Sequence, residues 1–171
     1  MQVLSIRAAR QEDAAEVAGV HVRSWQVGYR GLLPDEYLDS LRLEDRVAHY
    51  TFGATDPSLP STMVAAEDGV ICGFATMGPS RDADLQDAGE VLALYVDPEA
   101  WGFGVGRRLI AEARAHLGSR GFTEVVLWVL VGNDRAQRFY RVDGWEPDDR
   151  HRREEIWGVL VDESRYRRHL P

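Results

Sequence analysis

An apolar run, Glu90-Val-Leu-Ala-Leu-Tyr-Val96, leads through Asp97-Pro98-Glu99-Ala100 into Trp101-Gly102-Phe103-Gly104-Val105-Gly106, and a helical pattern follows at Arg107-Arg108. A strand that turns through alternating glycines into a helix tightly limits what this part of the chain can become. Glycines let the backbone approach a ligand closely, and the first N–H groups of a helix have no partner within it. The helix start also carries partial positive charge, so the element reads as a site for a phosphate-bearing ligand. The spacing then excludes whole classes. A dinucleotide fingerprint needs a third glycine three places after Gly104, where Arg107 stands. Walker loops, kinases and Schiff-base enzymes need a lysine, and all 20 basic residues of this chain are arginine.

A second element, Asn133-Asp-Arg-Ala136-Gln-Arg-Phe139-Tyr140 followed by Gly144-Trp145, lies further along. Seven residues separate Asn133 from Tyr140, and two helical turns bring them within about 20° of one face. Together the two elements resemble the GNAT superfamily of acetyl-CoA-dependent acyltransferases. The usual pyrophosphate loop of that family is Gln/Arg-x-x-Gly-x-Gly/Ala; Gly104 and Gly106 match, and Trp101 occupies the Gln/Arg position. The resemblance covers residues 90–145 and is looser on either side. It implies an α/β fold: a GNAT-like central mixed β-sheet flanked by helices, with a parallel βαβ step at the cofactor cleft. It implies acetyl-CoA as cosubstrate, no metal, an amine acceptor that is a small molecule or a peptide, and a homodimer.

Composition sets outer bounds. The 171 residues suit a single domain spanning 1–171. A net charge of −8 argues against nucleic-acid binding; it suits a cationic amine and equally a surface built for solubility. No apolar run reaches the roughly 20 residues of a membrane span, so no membrane partner is expected. With no visible signal segment and a single cysteine, Cys72, the expected compartment is the cytoplasm.

Along the chain, Val3–Ala8 predicts a strand. Asp13 precedes a helix that presents Ala14, Val17, Ala18 and His21 and ends near Tyr29. A second helix is expected from Leu32-Leu33-Pro34-Asp35 to about Leu43. Met63–Ala66 and Val70–Met77 around Asp68-Gly69 predict a hairpin. Glu90–Val96 and the nearly all-apolar Thr123–Val129 read as parallel strands joined by a helix over Val105–Leu117, closed by Gly118 and Gly121. Two more strands are expected near Trp145 and over Glu154–Leu160. Arg165, Arg167 and Arg168 read as a solvated basic end.

The chemistry assigns roles. An amine with a pKa of roughly 10 is neutral in about one molecule in 10³ at pH 7, which adds about 4 kcal/mol to the barrier. The site must therefore take a proton from nitrogen, stabilise an oxyanion and protonate a leaving thiolate. Given the resemblance, Tyr140 is the candidate acid for sulfur and Glu90 the candidate base, directly or through a water. Leu94, Tyr95 and Val96 are expected to offer backbone groups to the pantetheine arm. Gly102, Phe103, Gly104, Val105, Gly106 and Arg107 are expected to hold the pyrophosphate, and Asn133 to bond the cofactor or to cap its helix. Trp25 and Tyr29 read either as an aromatic wall for an ammonium or as packing between helices. Cys72 reads as a small buried residue. A catalytically silent acyl-CoA-binding or sensing module stays open at this point; a nucleotide-binding oxidoreductase lacks its third glycine.

Overall fold

The computed structural model describes residues 2–171. Strand β1 (Leu4–Ala8) leads through a short 3-10 turn into helix α1 (Ala14–Gly28) and two short helices, α2 (Asp35–Asp39) and α3 (Leu43–Val47). Strands β2 (Ser61–Glu67), β3 (Val70–Pro79) and β4 (Gly89–Val96) follow, then helix α4 (Val105–Ser119), strand β5 (Glu124–Leu130) and helix α5 (Asp134–Val142). The chain closes with β6 (Glu146–Ile156) and β7 (Val159–His169). Among the described residues, one seven-stranded sheet has the order β1-β2-β3-β4-β5-β7-β6, and only its β4–β5 pair is parallel.

The sheet is covered on both faces, as its alternation dictates. Leu109, Ile110, Ala113 and Leu117 of α4 pack on Ala65, Ala75, Val91, Val125, Leu127 and Val129. On the other face, Val17 and Val20 of α1 pack on Val64, Ala66, Ile71 and Phe74. Further along α1, Val22 and Trp25 meet Leu33, Leu38, Leu130 and Val161. Asp13 is buried and accepts from Arg7 Nη1 at 2.7 Å, Arg7 Nη2 at 3.0 Å and the Arg10 amide at 2.7 Å, so it ties β1 to the start of α1 instead of capping it with its side chain. The Arg7 bond holds its carboxyl below the usual range.

The expected hairpin is present, and Asp68 and Gly69 have φ of 50° and 85°, as a type I′ turn requires. Three expectations change. The second helix is two helices of five residues, because the chain closes on itself at Ser40, whose amide bonds back to Glu36 and Tyr37. The strand expected over Glu154–Leu160 is the tip of a hairpin: Trp157 and Gly158 have φ of 51° and 82° and turn β6 into β7. Arg165 is not a solvated end. Its side chain is 3% exposed and bonds Asp82, Asp84 and Asp148 at 2.8–3.2 Å, tying the β3–β4 connection to β7.

Candidate active site

The site begins where the sheet opens. Strands β4 and β5 pair only at Gly89–Val125 and Glu90–Val126, then part. The space between them is a cavity of about 840 Å³ lined by residues 90–96 of β4, residues 127–130 of β5, the start of α4, and Asn133 and Tyr140 of α5. A bulge helps: Met77 pairs with Val91 and Thr76 with Ala93, leaving Leu92 without a partner. The Asp97 amide bonds the Cys72 carbonyl at 2.8 Å, so the register alternates outward from there. Tyr95 is engaged with Phe74 on β3, whereas Leu94 and Val96 turn their N–H and C=O groups into the cleft. That leaves Tyr95 to meet a ligand through its ring, which stacks on His21 at 5.5 Å and 8°. One cleft-facing carbonyl is occupied, since Trp101 Nε1 donates to the Val96 oxygen at 2.8 Å.

The glycine turn delivers the helix start to the mouth of this cleft. Gly102 and Gly104 have φ of 84° and 85°, a region closed to most side chains. The first intrahelical bond of α4 runs from the Arg108 amide to the Gly104 carbonyl at 3.1 Å, leaving the N–H groups of Val105, Gly106 and Arg107 free. No acidic residue stands in that first turn. A Cβ on Gly106 would lie 3.3 Å from the Phe139 ring, so this glycine admits α5 close to the loop. Phe103 is exposed at the tip of the turn.

Helix α5 supplies the two residues of the second motif. Asn133 Oδ1 accepts from the Ala136 amide at 3.2 Å, which caps the helix and leaves the Nδ2 donor to the cavity. Tyr140 packs its ring against Phe139 and Trp145 at 5.1 and 6.1 Å between centroids. Its hydroxyl has no hydrogen-bond partner among the described residues, and burial pushes the phenol's pKa up, so it stays neutral across the working range of pH.

On the α1 face, Trp25 is buried and Tyr29 half-buried; their rings meet at 4.9 Å, and both line the cavity as well as packing beneath Leu33 and Leu38. Glu90 is 1% exposed, and Arg81 engages both of its oxygens: Nη2 reaches Oε1 at 3.0 Å, while the amide and Nε reach Oε2 at 3.0 and 3.3 Å. His21, packed against Trp25 and Tyr95, is neutral, with its pKa pulled down to about 3 by burial and then by Arg46.

The model of the Acetyltransferase (GNAT) family matches residues 20–145. The chain belongs to the GNAT family. The Bacillus subtilis N-acetyltransferase YuaI is 33% identical over 132 residues, covering 77% of this chain and 74% of that protein. A mycothiol acetyltransferase of Thermobispora bispora is 38% identical over 95 residues, which span 53% of this chain and 32% of the longer relative. Among solved structures, the PaiA N-acetyltransferase of Thermoplasma acidophilum in complex with coenzyme A superposes with a TM-score of 0.70 at 21% identity, covering 94% of this chain and 98% of that one. YncA of Salmonella typhimurium with its cofactor acetyl-CoA gives 0.72 at 20% identity, covering 99% and 95%. These two likenesses establish the GNAT fold.

Within this GNAT frame, the cleft also holds Glu163, Trp157 and Tyr50, of which sequence reasoning passed over Glu163 and Tyr50. Glu163 of β7 is buried. Arg152 Nε holds its Oε1 at 2.9 Å, Oε2 accepts no bond among the described residues, and burial pushes its pKa up. Trp157 closes the same side, its carbonyl held by the Tyr37 hydroxyl at 2.7 Å and its ring under Arg46 at 4.3 Å. Tyr50 lies 2.6 Å from His21 Nδ1. The one available signal for Glu163 was its parity with Val161, and that parity was hidden once the strand was expected too early.

Proposed function

We propose that this GNAT protein transfers an acetyl group from acetyl-CoA to a primary amine by direct attack. One observation carries this reading: an unpaired stretch of β4 runs straight into the free N–H groups of α4, with the Tyr140 hydroxyl open to the same cavity. The pantetheine arm pairs with the free groups of Leu94 and the Val96 N–H as an added half-strand, the Val96 carbonyl being held by Trp101, and the pyrophosphate sits on residues 102–107. A backbone N–H of β4 is placed to polarise the thioester carbonyl.

The protons then balance. The ammonium gives up one proton, its nitrogen bonds the thioester carbon, and the C–S bond breaks as the tetrahedral intermediate collapses. Tyr140 donates its phenol proton to the leaving sulfur, and the second nitrogen proton restores the phenol. Arg81 engages both Glu90 oxygens, so Glu90 acts as base through a water. Trp25 and Tyr29 form the wall beside the acceptor ammonium, a small-molecule or peptide amine.

The test is release of free CoA thiol from acetyl-CoA against a panel of small amines and peptides, with acetyl-CoA binding measured alongside. Amine-dependent release supports the reading. Tight binding without release for any amine replaces it with a silent acyl-CoA-binding module, and no binding overturns the cofactor assignment.

A further inference from the structure

Most arginines of this chain are tied to carboxylates, as expected in a protein with 28 acidic residues. Three that are not converge on one place. Among the described residues, Arg107, Arg135 and Arg138 have no ion-pair partner, and together they line a groove of about 360 Å³ between α4 and α5. Its floor is apolar, made by Ile110, Phe139 and Val142. The one carboxylate at the groove, Asp143, is engaged by Arg114 at 2.9 Å through both oxygens.

The arrangement gathers positive charge on an exposed part of the surface. Arg107 stands in the first turn of α4 and Arg135 in the first turn of α5, where the helix dipole disfavours a cation. Three guanidinium groups therefore share one groove and repel one another through solvent. Asp134, also in the first turn of α5, forms no ion pair with them among the described residues, and Asp143 is already taken by Arg114. A multiply charged anionic ligand removes that repulsion.

Trp101 explains how one of the three is aimed. Its indole is fixed by the bond from Nε1 to the Val96 carbonyl, and the Arg135 Cζ lies 3.4 Å from the centre of its ring. Arg135 and Arg107 line both the main cavity and the groove; Arg138 lines the groove alone. The position that carries a hydrogen-bonding Gln or Arg in the usual loop here carries a platform for a guanidinium that comes from α5.

Resting on the acetyl-CoA reading, we propose that Arg135, laid flat on Trp101, clamps the cofactor's diphosphate with Arg107, and that Arg138 reads its 3′-phosphate across the α4–α5 groove. The loss of a side-chain donor at position 101 is thus made good from another helix. The apolar floor of Ile110, Phe139 and Val142 suits the face of the adenine ring.

The test is calorimetric binding of acetyl-CoA and of 3′-dephospho-CoA to the intact protein at two salt concentrations. We expect Arg135→Gln to weaken both ligands about tenfold or more and to flatten the salt dependence. Arg138→Gln should weaken acetyl-CoA about tenfold and 3′-dephospho-CoA less than twofold. Trp101→Leu should weaken binding, and adding Arg135→Gln to it should cost little more, since the platform is already gone. Thermal melts confirm folding, which none of these side chains supports through an ion pair. Arg135→Gln binding within twofold of wild type, or Arg138→Gln affecting both ligands equally, overturns the proposal. A wild-type protein that binds neither ligand overturns the cofactor reading instead.

Discussion

Gly104→Val tests the cleft most directly. An added Cβ would meet no atom within 4 Å, so bulk inside the protein is not the issue. The issue is a φ of 85°, where an L-residue costs about 1–2 kcal/mol, with a β-branched one at the upper end. If the backbone holds, stability falls by that amount, a drop in Tm of about 2–8 °C for a chain of this size. If it relaxes to negative φ, the N–H groups of Val105 and Gly106 swing away from the cleft. Losing one hydrogen bond to a charged phosphate costs about 1.5–3 kcal/mol, or about 10- to 150-fold in affinity. Gly121→Val is the matched control: its φ is 93°, its Cβ position is also open, and it lies at the other end of α4. We expect both variants to melt earlier and only Gly104→Val to lose acetyl-CoA affinity by calorimetry. Equal affinities for Gly104→Val and wild type, or an equal loss in Gly121→Val, would refute the assignment of the free amides to the phosphates.

Tyr140→Phe should lower kcat by about 10²–10⁴ and leave the acetyl-CoA Kd within about twofold, because the hydroxyl carries no protein hydrogen bond; an unchanged kcat in steady-state assays removes Tyr140 as the acid. Glu90→Gln should slow turnover by about 10² while Glu163→Gln stays within about threefold; a larger loss in Glu163→Gln moves the base to β7, where the free Oε2 lies. His21, which packs on Trp25 and Tyr95, links the cleft to stability. Its folded pKa of about 3 lies below the unfolded 6.5, so its contribution is intact above pH 6.5 and is lost as pH falls towards 3. Between pH 8 and 5 the loss is roughly 2 kcal/mol. Urea titrations of His21→Leu should therefore show a flatter dependence on pH than wild type; parallel curves would mean that His21 does not stay neutral in the folded protein.

What the sequence disclosed follows the range of the forces involved. The β2–β3 hairpin, the β4–α4–β5 step and the glycine turn are written in neighbouring residues: Asp68-Gly69 for the I′ turn, alternation in Val64–Ala66, the apolar face of α4, and the spacing of Gly102, Gly104 and Gly106. Tyr140 was equally legible, because one short helix carries it together with Asn133. Strand β6 was legible only at its start beside Trp145 and in its last residues, since Glu146–Ile156 is a charged edge strand with no apolar alternation to reveal its full length. The turn at Trp157-Gly158 was hidden because a tryptophan at positive φ has no local reason; the Tyr37 hydroxyl and Arg46, both remote in sequence, supply it.

Charge is where local reading failed altogether. Arg165 and Arg135 look alike in sequence, each a polar residue among charged neighbours, yet one is locked among three carboxylates and the other stands with none. The planar, forked guanidinium explains the first, because it satisfies several carboxylates at once in a buried place where a flexible ammonium would not. The second has no such explanation inside the protein. In an acidic chain, an arginine without an acid is a departure from what the composition makes easy, and α4 and α5 bring three of them around one groove. If those side chains served only solubility, neutralising them would leave cofactor affinity and its salt dependence where they were, and the Arg135→Gln and Arg138→Gln titrations measure that directly.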